Sequence, residues 1–149
     1  MLSKTHLALG IGVVLYFLPH VKNEFIFIPI ALIATLLPDI DSAFSFFGRN
    51  KFSRPIQWTT KHRGFLHTYT FCIVLSVLLA FYFPIIALPF FLGYSFHLVL
   101  DSFTPHGIQP FWPLKYRSTG SIKTGGSVES AIFFVLVIVD IALLFKLFI

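Results

Sequence analysis

The chain has 149 residues, of which 56% are hydrophobic and 11% charged, and its mean hydropathy is +0.86. That composition excludes an ordinary soluble domain and points to an integral membrane protein. A net charge of +5 comes without the interleaved aromatic and basic stripe of a nucleic-acid module, so no nucleic-acid partner is expected, and the single cysteine, Cys72, supports neither a disulfide framework nor a cysteine-rich zinc site.

Four apolar runs follow one another, Leu7 to Leu18, Phe25 to Leu37, Phe65 to Leu100 and Val128 to Ile149. A spanning helix needs about 20 residues, so the third run is long enough for two helices with Pro84 as the turning point. The first two are short for full spans and call for tilt or partial insertion. The first run follows Lys4 like a secretory signal, yet it ends Phe17-Leu18-Pro19-His20 with no small-residue cleavage site, so a retained helix is expected. Ser127 after Gly125-Gly126 reads as the cap of the last helix, with Glu129 in its first turn. No composition shift or repeat divides the chain. The expected fold is all-α, one domain over residues 1–149: a polytopic membrane helical bundle of about five helices with a metal site at one membrane face.

The basic residues give that bundle an orientation. Lys4, the loop with Arg49, Lys51, Arg54, Lys61 and Arg63, and the loop with Lys115, Arg117 and Lys123 share one side, against Lys22 and Lys146 on the other, nine to two. The positive-inside rule then places the N-terminus and both long loops in the cytoplasm and the chain in the cell's inner membrane. Membrane lipids are the expected surroundings, with the cations and the loop tryptophans Trp58 and Trp112 at the headgroup level.

Six carboxylates and six histidines are the chemically active inventory. In so uncharged a chain each is a functional candidate, because burying it unpaired costs several kcal/mol. His6 opens the first helix; Asp39 and Asp41 close the second in Leu-Leu-Pro-Asp-Ile-Asp; His62 and His67 open the third; His97 and Asp101 close the fourth; and Glu129 opens the fifth. In an up-and-down bundle these ends share one face, the face chosen independently by the Lys and Arg count. His97 and Asp101, at i and i+4, lie on one side of a helix and can offer an imidazole nitrogen and a carboxylate oxygen to one ion. His62 is expected just before the third helix and His67 on it. His20 belongs to the opposite side as a solvated loop residue, and Asp140, inside the last span, is expected to hydrogen-bond a neighbouring helix.

Such a set of His and Asp ligands suits a divalent metal, zinc first, with manganese or iron as alternatives, and the number of donors allows one or two ions. The rival is a non-enzymatic metal or proton transporter, which would string ionisable groups through the membrane depth; a structural ion tying the helices together is a third reading.

Thr5-His6-Leu7, Leu36-Leu37-Pro38-Asp39-Ile40-Asp41, His62-Arg63-Gly64 with His67-Thr68, and Gly93-Tyr94 leading to His97, Asp101, Thr104-Pro105 and Gly107 resemble the YdjM-like family of membrane-bound, predicted metal-dependent hydrolases; Gly126-Ser127 with Glu129 continues the resemblance to nearly the whole chain. The resemblance implies an integral membrane hydrolase, and a lipid-linked phosphoester or other lipid ester is the natural substrate for such a site. The order of His, Asp, His, His-x-x-x-Asp, His and Glu is more distantly similar to that of the zinc-dependent phospholipase C and nuclease superfamily. On that likeness Asp39 or Asp41, His67, His97 and Asp101 would form a first metal site, His6 would serve a second ion bridged by Asp101, and His106 and Glu129 would supply a further ligand or base. The likeness implies metal-activated water as the nucleophile, with Asp41 or Glu129 taking its proton, and Arg63 either clamping a phosphate through its planar fork or anchoring at the headgroups.

Overall fold

The computed structural model describes residues 1–41 and 64–149. Five α-helices are present among them: α1 (Ser3–Phe17), α2 (Glu24–Leu36), α3 (Tyr69–Tyr82), α4 (Pro84–Ser102) and α5 (Ser127–Phe148). Among the described residues there is no strand, and a lone antiparallel bridge joins Ile108 to Ser118. The long apolar run does divide at Pro84, which opens α4 at a position where its missing N–H costs nothing.

The break at the start of that run is sharper than its hydrophobicity predicts. Thr68, extended at φ −126° and ψ 144°, accepts a hydrogen bond from the Phe71 N–H at 3.0 Å and caps α3. Residues Phe65–His67 therefore form a separate 3-10 turn, and His67 precedes the helix that it was expected to ride on. The last helix also starts differently from the expectation. Ser127 is its first helical residue and makes no cap; Glu129, three residues after the cap residue Gly126, reaches back to the N–H of Gly125 before it at 2.6 Å.

At 1.5 Å per residue, α1 to α3 are about 20 to 22 Å long, α4 about 28 Å and α5 about 33 Å, against a hydrocarbon layer of about 30 Å. Only α4 and α5, among the described helices, are long and apolar enough to cross a membrane by themselves. Their surroundings differ. α4 is the central element, packed against α1, α2 and α3, whereas α5 packs on α1 at the margin and buries only 6% of its span. Tyr94 and Leu98 of α4 fill one core with Ala34, Cys72, Phe90 and Ile108; Leu92 fills another with Val13, Val14, Phe27 and Ala31. Burying aliphatic and aromatic side chains on both faces of α4 fixes the depth of every turn along it.

Two glycines set how closely the helices approach. A Cβ on Gly93 of α4 would stand 2.2 Å from the Ala31 carbonyl oxygen of α2, and one on Gly10 of α1 would stand 2.7 Å from Thr35 Oγ1. Thr35 is thus wedged between α1 and α4 one residue before α2 ends.

Candidate metal centre

The ends of all five helices meet at one end of the bundle. α2 stops at Leu36 and Pro38–Asp41 continue as a 3-10 turn, because a proline two residues on cannot extend the helical ladder. That turn aims Asp39 inward. The neighbouring turn with His67 is held from α4: the Tyr94 hydroxyl donates to the Leu66 carbonyl at 2.5 Å. α4 itself supplies His97 and Asp101, four residues apart, and its end is closed by Thr104, whose hydroxyl donates to the Asp101 carbonyl at 2.8 Å.

One ligand atom from each of Asp39, His67, His97 and Asp101 can be chosen so that all four lie within 4.8 Å of one another. His67 Nε2 is 3.6 Å from Asp39 Oδ1 and 3.8 Å from Asp101 Oδ2; His97 Nε2 is 3.7 and 3.8 Å from the same two oxygens. A tetrahedral zinc with bonds of 2.0–2.1 Å separates its ligands by about 3.4 Å, so these four His–Asp distances exceed the fit by a few tenths of an ångström, and the widest separation in the group, up to 4.8 Å, would have to close by about 1.4 Å.

The orientation of His97 supports the same use. Its Nδ1 donates to the Thr35 carbonyl at 2.8 Å, which leaves the lone pair on Nε2, and that buried nitrogen has no hydrogen-bond partner among the described residues. An inner nitrogen left so costs about 1–3 kcal/mol, and a metal ion would offset it. The backbone carbonyl is the outer partner that ligating histidines commonly have. Burial alone would raise the Asp39 carboxyl, but its hydrogen bond with His67 and the charges of His97, His6 and His67 hold it down at about 2. A carboxylate ionised throughout the neutral range is ready to bind a cation.

His6 stands beside this group. Its ring stacks on that of His97 with centroids 3.9 Å apart and 13° between the planes, and its Nε2 is 3.3 Å from Asp101 Oδ1. The Met1 amino group pairs with the same oxygen. Asp101 therefore turns Oδ2 towards His67 and His97 and Oδ1 towards His6, an arrangement able to bridge two ions.

Glu129 takes another position. It is 1% exposed and accepts hydrogen bonds from the Leu2 N–H at 2.6 Å, the Thr5 hydroxyl at 2.9 Å and the Gly125 N–H at 2.6 Å. Its oxygens clasp the start of α1 to the start of α5 and thereby seat His6. His106 and His20 are exposed and stand apart from the cluster. Asp140, eleven residues after Glu129, faces α1 at Gly12, and its buried Oδ1 makes no hydrogen bond among the described residues; the expected bond to a neighbouring helix is not formed. The side chain of Asp41, and His62 and Arg63 altogether, lie outside the described residues.

The Thr35 carbonyl and the glycines that position it were not read from the sequence. A signal was present: Gly93, His97 and Asp101 recur every four residues and so share one face of α4. The small residue lets α2 come close at the turn before the ligands.

An all-helical membrane protein with a buried histidine and aspartate cluster at one end is the class these observations define. The sequence matches the family described as YdjM inner membrane protein over residues 1–148. The chain belongs to that family. It is 37% identical over 101 residues to Inner membrane protein YdjM of Escherichia coli (strain K12), and to that of Shigella flexneri, covering 60% of this chain and 50% of each relative. The chain thus spans about half the length of the curated relatives it matches. No solved structure gives a significant match.

Proposed function

We propose that this chain is an inner-membrane metal-dependent hydrolase acting on a phosphoester or lipid ester. The observation that carries the reading is the group formed by Asp39, His67, His97 and Asp101, four donors from three chain segments within 4.8 Å. Two neutral imidazoles and two carboxylates are the donor chemistry of a zinc site, with manganese or iron as close alternatives. His6 and Asp101 Oδ1 would hold a second ion.

When bound, such an ion supplies Lewis acidity and a water-derived nucleophile at neutral pH. The chain's own residues do the rest. Thr35 holds the His97 tautomer, Glu129 seats His6, and Asp101 offers one oxygen to each side. The sequence gives Arg63 the role of phosphate clamp, His62 that of an extra ligand and Asp41 that of the proton acceptor. With its three hydrogen bonds, Glu129 is better suited to positioning than to proton transfer. The nine-to-two excess of Lys and Arg on the side of these helix ends in the sequence supports a cytoplasmic position for the site. A lipid reaches such a site from the bilayer without crossing water.

Asp140 favours the transport reading, since it puts a carboxylate about 16 Å along α5 from Glu129. A single such group does not make a path, and the remaining described candidates gather at one end.

The test is metal analysis of the purified protein together with a screen of phosphoester and lipid hydrolysis, for the native chain and Asp101→Ala. The native chain should hold metal and hydrolyse a member of the screen, and the variant should lose both. An Asp101→Ala protein that retains its metal and full activity refutes the site; a native chain that holds metal and hydrolyses nothing favours ion binding or transport.

A further inference from the structure

The segment that follows α4 carries a feature the metal centre does not use. Ile108 and Ser118 exchange both backbone hydrogen bonds, N–H to O at 3.0 and 2.9 Å, and so close residues 109–117 into a hairpin. Its tip reads Phe-Trp-Pro-Leu-Lys-Tyr-Arg, and Phe111, Trp112, Leu114 and Tyr116 are each more than half exposed. Four large apolar side chains in so short a stretch are costly in water. Between 102 and 128 the chain has Lys115, Arg117 and Lys123 and no carboxylate.

The hairpin is fastened beside the cluster. The Tyr69 N–H donates to the Pro110 carbonyl at 2.7 Å and the Thr70 hydroxyl donates to the Trp112 carbonyl at 2.9 Å, both from the first turn of α3. The Trp112 ring meets Phe65 edge-on at 5.2 Å. Phe65 comes two residues before His67 and Tyr69 two after it, so the hairpin grips the turn that carries a metal ligand from both sides.

We infer that the hairpin Ile108–Ser118 is an interfacial finger that seats in the headgroup layer and draws phospholipids with anionic headgroups to the metal centre. The inference deepens the hydrolase reading and rests on it for the word substrate; the recognition of lipid stands on the hairpin. Aromatic rings at the helix ends occupy the level of the headgroups, and the alternation of Leu114 and Tyr116 with Lys115 and Arg117 pairs each inserted group with a cation for a phosphate. A bilayer fits this surface because it supplies apolar depth and negative charge together.

The experiment uses the full chain with Trp58→Phe, so that Trp112 is its sole tryptophan, in nanodiscs of phosphatidylcholine with or without phosphatidylglycerol. Phospholipids brominated near the headgroup end of the acyl chain should quench Trp112 strongly, and those brominated near the chain terminus weakly. Phosphatidylglycerol should be enriched around the protein over phosphatidylcholine in mixed detergent–lipid micelles, and each of Lys115→Gln and Arg117→Gln should reduce that enrichment by about five-fold. Both readouts are taken without added metal, so a chain that hydrolyses nothing can still pass them. Trp112 emission blind to brominated lipid, or an enrichment unchanged in the double variant, overturns the inference. So does photocrosslinking of residue 112 to a second polypeptide in native membranes, which would make the surface a protein interface.

Discussion

Gly93→Ala should damage the metal centre although residue 93 touches no ligand. The new Cβ would stand 2.2 Å from the Ala31 carbonyl oxygen and 3.0 Å from the Thr35 nitrogen, both backbone atoms that cannot swing away. Ordinary contact starts at about 3.4 Å, so α2 must retreat by about 1 Å at this level. The Thr35 carbonyl moves with it, and its bond to His97 Nδ1 lengthens from 2.8 Å to beyond the hydrogen-bond range. Overpacking of this size costs about 1–3 kcal/mol of stability. Loss of a histidine's outer partner typically lowers metal affinity by about 10- to 100-fold, or about 1.4–2.7 kcal/mol. The assay is competition for zinc with a chromophoric chelator in detergent, with helical content and elution volume checked alongside. Thr35→Ala is the control, because it keeps the carbonyl and should retain most of the affinity. A folded Gly93→Ala protein that binds zinc as tightly as the native chain would refute the link from helix spacing to ligand orientation.

Three further outcomes follow from the same geometry. Glu129→Ala leaves the Leu2 and Gly125 N–H groups and the Thr5 hydroxyl without their acceptor and should destabilise the protein by about 2–4 kcal/mol in thermal or denaturant unfolding; a variant of native stability that is merely inactive would make Glu129 a proton acceptor instead. His6→Ala should lower metal content from two ions to one while the ion at Asp39, His67, His97 and Asp101 stays; loss of all metal would mean a single shared site. Metal retained after dialysis at a series of pH values should fall as the solution is acidified, because protons compete for the imidazole nitrogens of His67 and His97, and should be held at neutral pH. Asp39, held down at about 2, stays ionised over that range, so its own protonation should not set the midpoint of release.

The sequence carried the parts of this site that depend on one segment at a time. His97 and Asp101 could be placed on one helix face from their spacing, and Pro38 marked where Asp39 leaves its helix. Thr68 was visible but was not read as a cap, since Phe65 to Leu100 is continuous in hydrophobicity; the cap moved His67 onto its own turn. The contacts between segments were less legible. The stacking of His6 on His97 depends on how α1 and α4 pack together, and the glycines that bring each of them close to α2 act through absent side chains. Glu129 shows the same limit: its donors come from Leu2, Thr5 and Gly125, on two segments far apart in the chain, and no single-segment pattern announces that clasp. The roles expected for the Asp41 side chain, His62 and Arg63 fall outside the described residues.

The division of labour between the helices bears on how the protein is put together. Asp39, His67, His97 and Asp101 all precede the end of α4, whereas α5 contributes the Glu129 clasp and little buried surface. The candidate ligand set thus draws on no residue of α5, whereas the seat of His6 depends on α5 through Glu129, so the set and its fastening can be altered separately by substitution.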